Sequence, residues 1–293
     1  MRRIAFLTAS CMFEGNPETR GDAYEHALEF SALSAACRTR LMLLEEQIWT
    51  EDFDLEAYDA YVVGTCWDYQ DKPEAFFELL ERIDGVRPLF NPLPALRWNL
   101  RKTYLRELEA GGAVIVPTVW APQADAASIA AAFDTLATDE VVVKGVVGAG
   151  GLRQVKLKRG EALPSRDEMP PGEAMIQPFL PAALEEGEYS FLFFDGVFSH
   201  CALKRPAKGE YRVQSLFGGT EEDNDPSTED LALALRVLSA VKHELLYARI
   251  DMMRLPDGRL AVMELEILEP YLYPEQGRFM GAHFAAALDR RLA

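Results

Sequence analysis

The stretch that decides the fold is Val141–Leu157, VVVKGVVGAGGLRQVKL. Three valines run into Lys144, glycines follow at 145, 148, 150 and 151, and an alternating segment closes the stretch. A phosphate loop of the G-x-x-x-x-G-K-[ST] type needs its lysine after the glycines and a helix beyond them. Here the lysine comes first, and Gly150–Gly151 lead into leucine and arginine. A dinucleotide fingerprint, G-x-G-x-x-G, also opens a helix; Gly148 and Gly150 supply its first half, but position 153 is arginine. In LRQVKLKR, Val155 and Leu157 alternate with Gln154, Lys156 and Lys158, a period of two. The glycines therefore join two strands as a hairpin flap. Such a flap can fold over a triphosphate with its amides donating to phosphate oxygens, and Lys144 would add a positive charge. An ordinary glycine-rich turn reads the same way, so the rest of the chain must decide.

Working outward, strands and helices alternate in the N-terminal third. RIAFL, RLMLLEE, AYDAYVVGTCW and PLFNP read as strands, separated by helices in DAYEHALEFSALSAACRT and KPEAFFELLERID. This order predicts a parallel α/β sheet. PALRWNLRKTYLRELEAGG reads as one helix stopped at Gly111–Gly112. AVIVPTVW is a strand, DAASIAAAFDTLA a helix, and EAMIQPFLP a strand. GEYSFLFFDGVFSHCALKRP and YARIDMMRLPDGRLAVMELEIL read as hairpins turning at Asp195–Gly196 and Asp257–Gly258. EDLALALRVLSAVKHEL and FMGAHFAAALDRRLA are helices, and 218–230 reads as an acidic exposed loop. The expected fold is α/β, becoming α+β toward the C-terminus, with units at 1–95, 96–182 and 183–293.

The second chemical signal lies in the last hairpin. Asp251 is on its first strand; Glu264 and Glu266, two apart, share a face of its second. Folding about Asp257–Gly258 brings Asp251 opposite the 264–266 region. Carboxylates so placed beside Val262 and Met263 repel unless a cation joins them. Oxygen-only ligands favour Mg²⁺ or Mn²⁺. A solvated acidic sheet face is the alternative.

A glycine flap with a lysine, followed by a carboxylate-bearing hairpin, resembles the ATP-grasp carboxylate–amine ligases, which include glutathione synthetase-like, D-alanine–D-alanine ligase-like and D-cycloserine synthetase-like proteins. The resemblance runs from about Asn91 to the C-terminus and is nearest to the last group. It implies two α+β subdomains clasping ATP behind a parallel-sheet domain. It assigns Lys102 and Lys144 to the ATP phosphates and Gly148, Gly150 and Gly151 to the flap. It puts Gln177 and the backbone of Phe179 and Leu180 on adenine, Glu188 on the ribose, and Lys204 in the nucleotide site. Asp251, Glu264 and Glu266 become the ligands of Mg²⁺ or Mn²⁺. The family usually has asparagine at the last of these, so Glu266 adds a charge. Arg212 resembles the arginine that holds an acyl phosphate, with Gln214 sharing its site. The implied reaction activates a carboxylate with ATP and joins it to an amine, in two molecules or by ring closure. A small-molecule kinase and a non-catalytic nucleotide-binding protein are the rival readings.

The chain of 293 residues carries a formal net charge of −17, which argues against nucleic acid or an anionic membrane as partner. The partners expected are a small carboxylate and a small amine; a homodimer is compatible with the sequence. Cys11, Cys37, Cys66 and Cys201 form no C-x-x-C pair and suit a reducing cytoplasm. No stretch approaches the length of a membrane span. Trp67, Asp68 and Tyr69, just past a strand end, read either as a substrate wall or as core and helix cap. The four histidines show no ligand or triad spacing.

Overall fold

The computed structural model describes residues 1–148, 151 and 153–293; Gly150 of the expected flap lies outside the described residues. The first sheet is parallel throughout. β1 (Arg2–Thr8), β2 (Met42–Ile48), β3 (Ala60–Val63) and β4 (Leu89–Phe90) lie in the order β2-β1-β3-β4. β1 and β3 carry near-continuous apolar residues because helices cover the sheet. α1 (Ala23–Arg38) and α2 (Pro73–Asp84) are those helices. α2 begins at the proline the sequence suggested and buries Phe76, Phe77, Leu79, Leu80 and Ile83.

The segment expected as one helix is two, α3 (Leu93–Asn99) and α4 (Tyr104–Ala110). The interruption has a cause in hydrogen bonding. The Asn99 amide donates to Leu265 O at 2.8 Å and its oxygen accepts from Ile267 N. The Lys102 N–H donates to Val146 O at 2.8 Å instead of continuing the helix. A site lysine is thereby lifted out of helical register.

The second sheet is antiparallel: β5 (Val119–Ala121), β6 (Glu140–Gly145), β7 (Val155–Lys158) and β8 (Ala174–Pro178), in the order β5-β8-β6-β7, with α5 (Ala126–Thr135) packed on it. β6 and β7 pair as the flap reading required, Val141 opposite Leu157. AVIVPTVW is split. Val116 donates to Val262 O and Val114 accepts from Val262 N, whereas residues beyond Pro117 join β8. Proline cannot extend a central ladder, and the chain changes sheet there.

The third sheet follows the short helix α6 (Ala182–Glu185). Its strands are β9 (Glu188–Phe194), β10 (Val197–Arg205), β11 (Thr220–Asn224), β12 (Tyr247–Arg254) and β13 (Leu260–Glu266), ordered β11-β10-β9-β12-β13. Asp195 and Gly196 both have positive φ, as a two-residue hairpin turn demands. β11 corrects the expectation of a loop over 218–230. TEEDN has no apolar alternation because it is an edge strand with its side chains toward solvent or the cleft. α7 (Thr228–Ala240), capped by Ser227 on Asp230 N, covers one face. α8 (Met280–Leu292) covers the other. Phe284 and Leu288 of α8 share a core with Leu33 and Cys37 of α1 and with Leu192 and Phe194 of β9. That shared core docks the first sheet against the third. α3 and α4 contribute Ala95, Tyr104, Leu105 and Leu108 to the opposite face of the same five-stranded sheet. No helix among the described residues is long and apolar enough to cross a membrane.

Candidate active site

The three sheets leave between them a cavity of about 440 Å³, within the range of small-ligand sites. Its lining includes every candidate site residue from the sequence that is described: Lys102, Lys144, Gly148, Gly151, Gln177, Phe179, Leu180, Glu188, Lys204, Arg212, Gln214, Asp251, Glu264 and Glu266.

β6 delivers Lys144, whose ammonium meets Met263 Sδ at 3.9 Å and, among the described residues, no carboxylate within ion-pair distance. Burial pushes its pKa below the ordinary lysine value, with Glu264 and Glu188 pulling it part of the way back. Lys102 differs. Burial opposes its charge, but Glu264 at 2.7 Å, with Glu266 and Glu269 further out, more than compensates. Lys102 also donates to Gly148 O, which ties the flap to the site. At the far side of the flap, a Cβ on Gly151 (φ +70°) would lie 3.4 Å from Arg212 Cδ and 3.7 Å from Phe217. The flap thus reaches the 212–217 segment.

Gln177 is buried and donates to Thr118 Oγ1 at 3.0 Å. The Phe179 N–H donates to Glu140 O at 2.9 Å. The Phe179 ring carries Lys156 Nζ at 3.4 Å from its centroid. Glu188 is buried and held by Lys204, directly opposite it across β9 and β10. Lys204 also reaches Asp251 at 3.3 Å.

The carboxylate hairpin has the expected register, Asp251 opposite Glu264, followed by an irregularity that advances the pairing to Met252–Val262. The cation that joins these carboxylates is not only the expected metal: the protein supplies its own. Arg249, buried and two residues before Asp251, donates from Nε and Nη2 to Asp251 at 3.0–3.2 Å and reaches Glu266 as well. Ser190 Oγ donates to Asp251. Burial alone would raise the Asp251 carboxyl, but Arg249 and Lys204 hold it at about 2. Burial pushes Glu266 up to about 7, against Arg249. Sequence reasoning passed over Arg249, although the R-x-D spacing on one strand places both side chains on one face.

Among the described residues, no three His, Cys, Asp or Glu side chains converge to hold a metal unaided. The donors are nevertheless all oxygen, and they line the cavity beside Lys102 and Lys144. That chemistry fits Mg²⁺, which commonly takes one or two carboxylates and completes its shell with waters and substrate phosphates.

The N-terminal sheet closes the cavity with residues past its strand ends. Trp67 is a wall residue: Arg20 stacks on its ring at 5.5 Å, and its Nε1 donates to Glu269 O at 2.9 Å. Asp68 makes no cap hydrogen bond; it accepts from Trp49 Nε1 at 2.6 Å. Glu25 on α1 is buried, accepts from Ser215 Oγ, and is pushed by burial to about 7. Arg212 is forked onto Glu210, with Nη2 at 2.6 Å, and lies 3.6 Å over Phe217. The fork holds Glu210 at about 2. Glu25 and Glu269 had no sequence signal, because each is isolated in an unremarked stretch.

Comparison with known proteins agrees with this geometry. A family model described as D-cycloserine synthetase DcsG, N-terminal domain, matches residues 4–91. The cycloserine biosynthesis protein DcsG of Streptomyces lavendulae is 31% identical over 283 residues, covering 89% of this chain and 92% of that protein. The crystal structure of D-cycloserine synthetase DcsG aligns with a TM-score of 0.83 at 27% identity, over 99% of this chain and 100% of that one. The D-alanine–D-alanine ligase of Bacillus anthracis, complexed with ATP, aligns at 0.64 with 18% identity over 99% and 95%, a likeness of fold. The chain belongs to the DcsG family of ATP-grasp ligases and is an ATP-dependent carboxylate–amine ligase.

Proposed function

We propose that ATP converts a substrate carboxylate into an acyl phosphate at the Lys102–Lys144 end of the cavity, and that an amine then displaces the phosphate to form an amide or a lactam. The observation that carries this reading is the gathering of Lys102, Lys144, Lys204, Arg212 and Arg249 around one cavity in a chain of net charge −17. An unactivated carboxylate does not acylate an amine at neutral pH, and both steps of the activated route accumulate negative charge near the γ-phosphate. Lys102 and Lys144 offset that charge from two sides. Gly148 and Gly151, at the cavity wall, belong to the segment that would cover the phosphates. Gln177, Phe179 and Leu180 hold adenine, and Glu188 with Lys204 lies on the sugar and phosphate side. Asp251, Glu264 and Glu266 are the residues that would hold Mg²⁺, which when bound neutralises phosphate oxygens and orients them. Arg212, with Gln214, turns its fork from Glu210 to the acyl phosphate. Glu25 and Glu221, on the cavity wall, favour a substrate carrying a cationic amine.

The test is ADP release from MgATP with a pool of L- and D-amino acids, with and without hydroxylamine. Hydroxamate formation is expected, since hydroxylamine traps an acyl phosphate. ADP release that yields a stable phosphorylated product would establish a kinase in its place. Arg212→Ala should lower turnover about 10²-fold or more with little effect on ATP binding.

A further inference from the structure

The strand carrying Glu264 and Glu266 leads into Ile267-Leu268-Glu269-Pro270, and this exit is fixed by hydrogen bonds from three elements. Ile267 O accepts from Asn91 Nδ2 at 2.8 Å, Leu268 O from Tyr247 OH at 3.0 Å, and Glu269 O from Trp67 Nε1 at 2.9 Å. Pro270 restricts the backbone of Glu269 to extended conformations. Three elements thus pin the main chain on which the Glu269 side chain stands, and that side chain borders the cavity.

Four other carboxylates of the cavity are committed: Glu264 to Lys102, Glu266 to Arg249, Asp251 to Arg249 and Lys204, Glu188 to Lys204. Glu269 has no hydrogen-bond or ion-pair partner for its carboxylate among the described residues. A rigidly mounted carboxyl with no partner beside these lysines escapes the cost of an uncompensated buried charge by holding a proton, and it is placed to exchange that proton with whatever enters the cavity.

Building on the ligase reading above, we infer that Glu269 is the base that takes a proton from the attacking ammonium group. The step balances as follows. One N–H proton passes to a Glu269 oxygen and leaves a neutral amine. The nitrogen lone pair forms the C–N bond at the acyl carbon, and the C–O bond to phosphate breaks with its electron pair going to phosphate. The second N–H proton ends on the departing phosphate, and Glu269 returns its own to solvent. The charged surroundings suit this task. Burial pushes Glu269 up to about 8, with Glu266 and Glu264 adding to it and Lys102 and Arg249 opposing. From the loop after β3 it faces Cys66 and Tyr69, and from β12 Tyr247; burial keeps all three neutral. A base titrating near the working pH is the effective kind.

The experiment compares the full-length wild type with Glu269→Gln and Glu269→Asp. Each receives MgATP and a pool of L- and D-amino acids at pH 7, with mass-spectrometric readout of amides and lactams. A parallel set adds hydroxylamine, which is unprotonated at this pH and needs no base. Glu269→Gln should still form hydroxamate within about threefold of wild type, while amide plus lactam falls about 10²-fold or more. Its residual ligation should climb with pH where the wild type levels off, and Glu269→Asp should recover part of the loss. Equal amide yield in wild type and Glu269→Gln overturns the inference, as does a parallel loss of hydroxamate, which would make Glu269 a structural or ATP-site residue. Hydroxamate without any amide from wild type also overturns it. Absence of hydroxamate from wild type strikes the ligase reading itself, a separate failure.

Discussion

Replacing Arg249 with methionine tests how the site is held together before any ligand arrives. Arg249 is 8% exposed. It pairs with Asp251 and Glu266, and its Nη1 donates to Tyr271 O at 3.1 Å. Methionine fills most of the volume but leaves Asp251 with Lys204 and Ser190, and Glu266 with no cation. Breaking a buried pair costs about 3–5 kcal/mol because the surviving charge has no compensation. Glu266 can escape part of that cost by protonating. Its carboxyl sits at about 7 with Arg249 present, so without it the folded-state pKa rises further. A carboxyl raised above its unfolded value binds more protons when folded, and stability is then lost as pH rises through the folded pKa. The expected loss in urea unfolding is therefore about 3 kcal/mol or more at pH 8 and smaller at pH 6. Arg249→Lys should fall between, since it keeps charge but loses the fork. A loss below about 1 kcal/mol at pH 8 would refute the claim that these carboxylates are neutralised by the protein's own cations.

Three further outcomes are expected. Asn91 is fully buried and satisfies Tyr247 O, Ile267 O and Leu246 N; Asn91→Ala should cost about 3 kcal/mol or more in chemical denaturation, at roughly 1–3 per orphaned group. Glu29 is buried, and burial holds its carboxyl at about 8 although Leu272 N donates to it. Folding therefore keeps Glu29 protonated, and its ionisation destabilises the fold as pH rises toward 8. Glu29→Gln should raise the melting temperature at pH 8, with the gain vanishing near pH 4. Lys144 is a desolvated cation with no ion pair among the described residues, so Lys144→Met should stabilise the ligand-free protein by about 1 kcal/mol while weakening ATP binding, measured by calorimetry, at least about tenfold.

The pairing of β6 with β7 could be read because it follows from local period: Val155 and Leu157 alternate as only a strand would. The last hairpin could be read as a hairpin, but its turn alone does not set the partner of Asp251, since Met252–Val262 and Arg254–Leu260 pair one residue out of that register and the irregularity between Asp251 and Met252 restores Glu264. The helix break at Leu100–Thr103 could not be read, since it depends on Asn99 and Lys102 bonding to backbone more than forty residues away. β11 was missed for a related reason: an edge strand needs no buried face, so TEEDN carries no apolar period. In the site, the residues with a motif were found, whereas Arg249, Glu25 and Glu269 were not. Arg249 was legible in its two-residue spacing from Asp251. Glu25 and Glu269 enter the cavity because α1 and the Trp67 loop dock on the third sheet, a tertiary event with no one-dimensional trace.

The central claim is that a carboxylate oxygen attacks the γ-phosphate and later leaves with it. The direct measurement supplies the amino-acid pool with ¹⁸O in the carboxylates and follows the isotopic content of the phosphate released with ADP. One ¹⁸O atom should appear in each phosphate formed during ligation. Unlabelled phosphate, or ADP accompanied by a phosphorylated product and no free phosphate, would contradict the account.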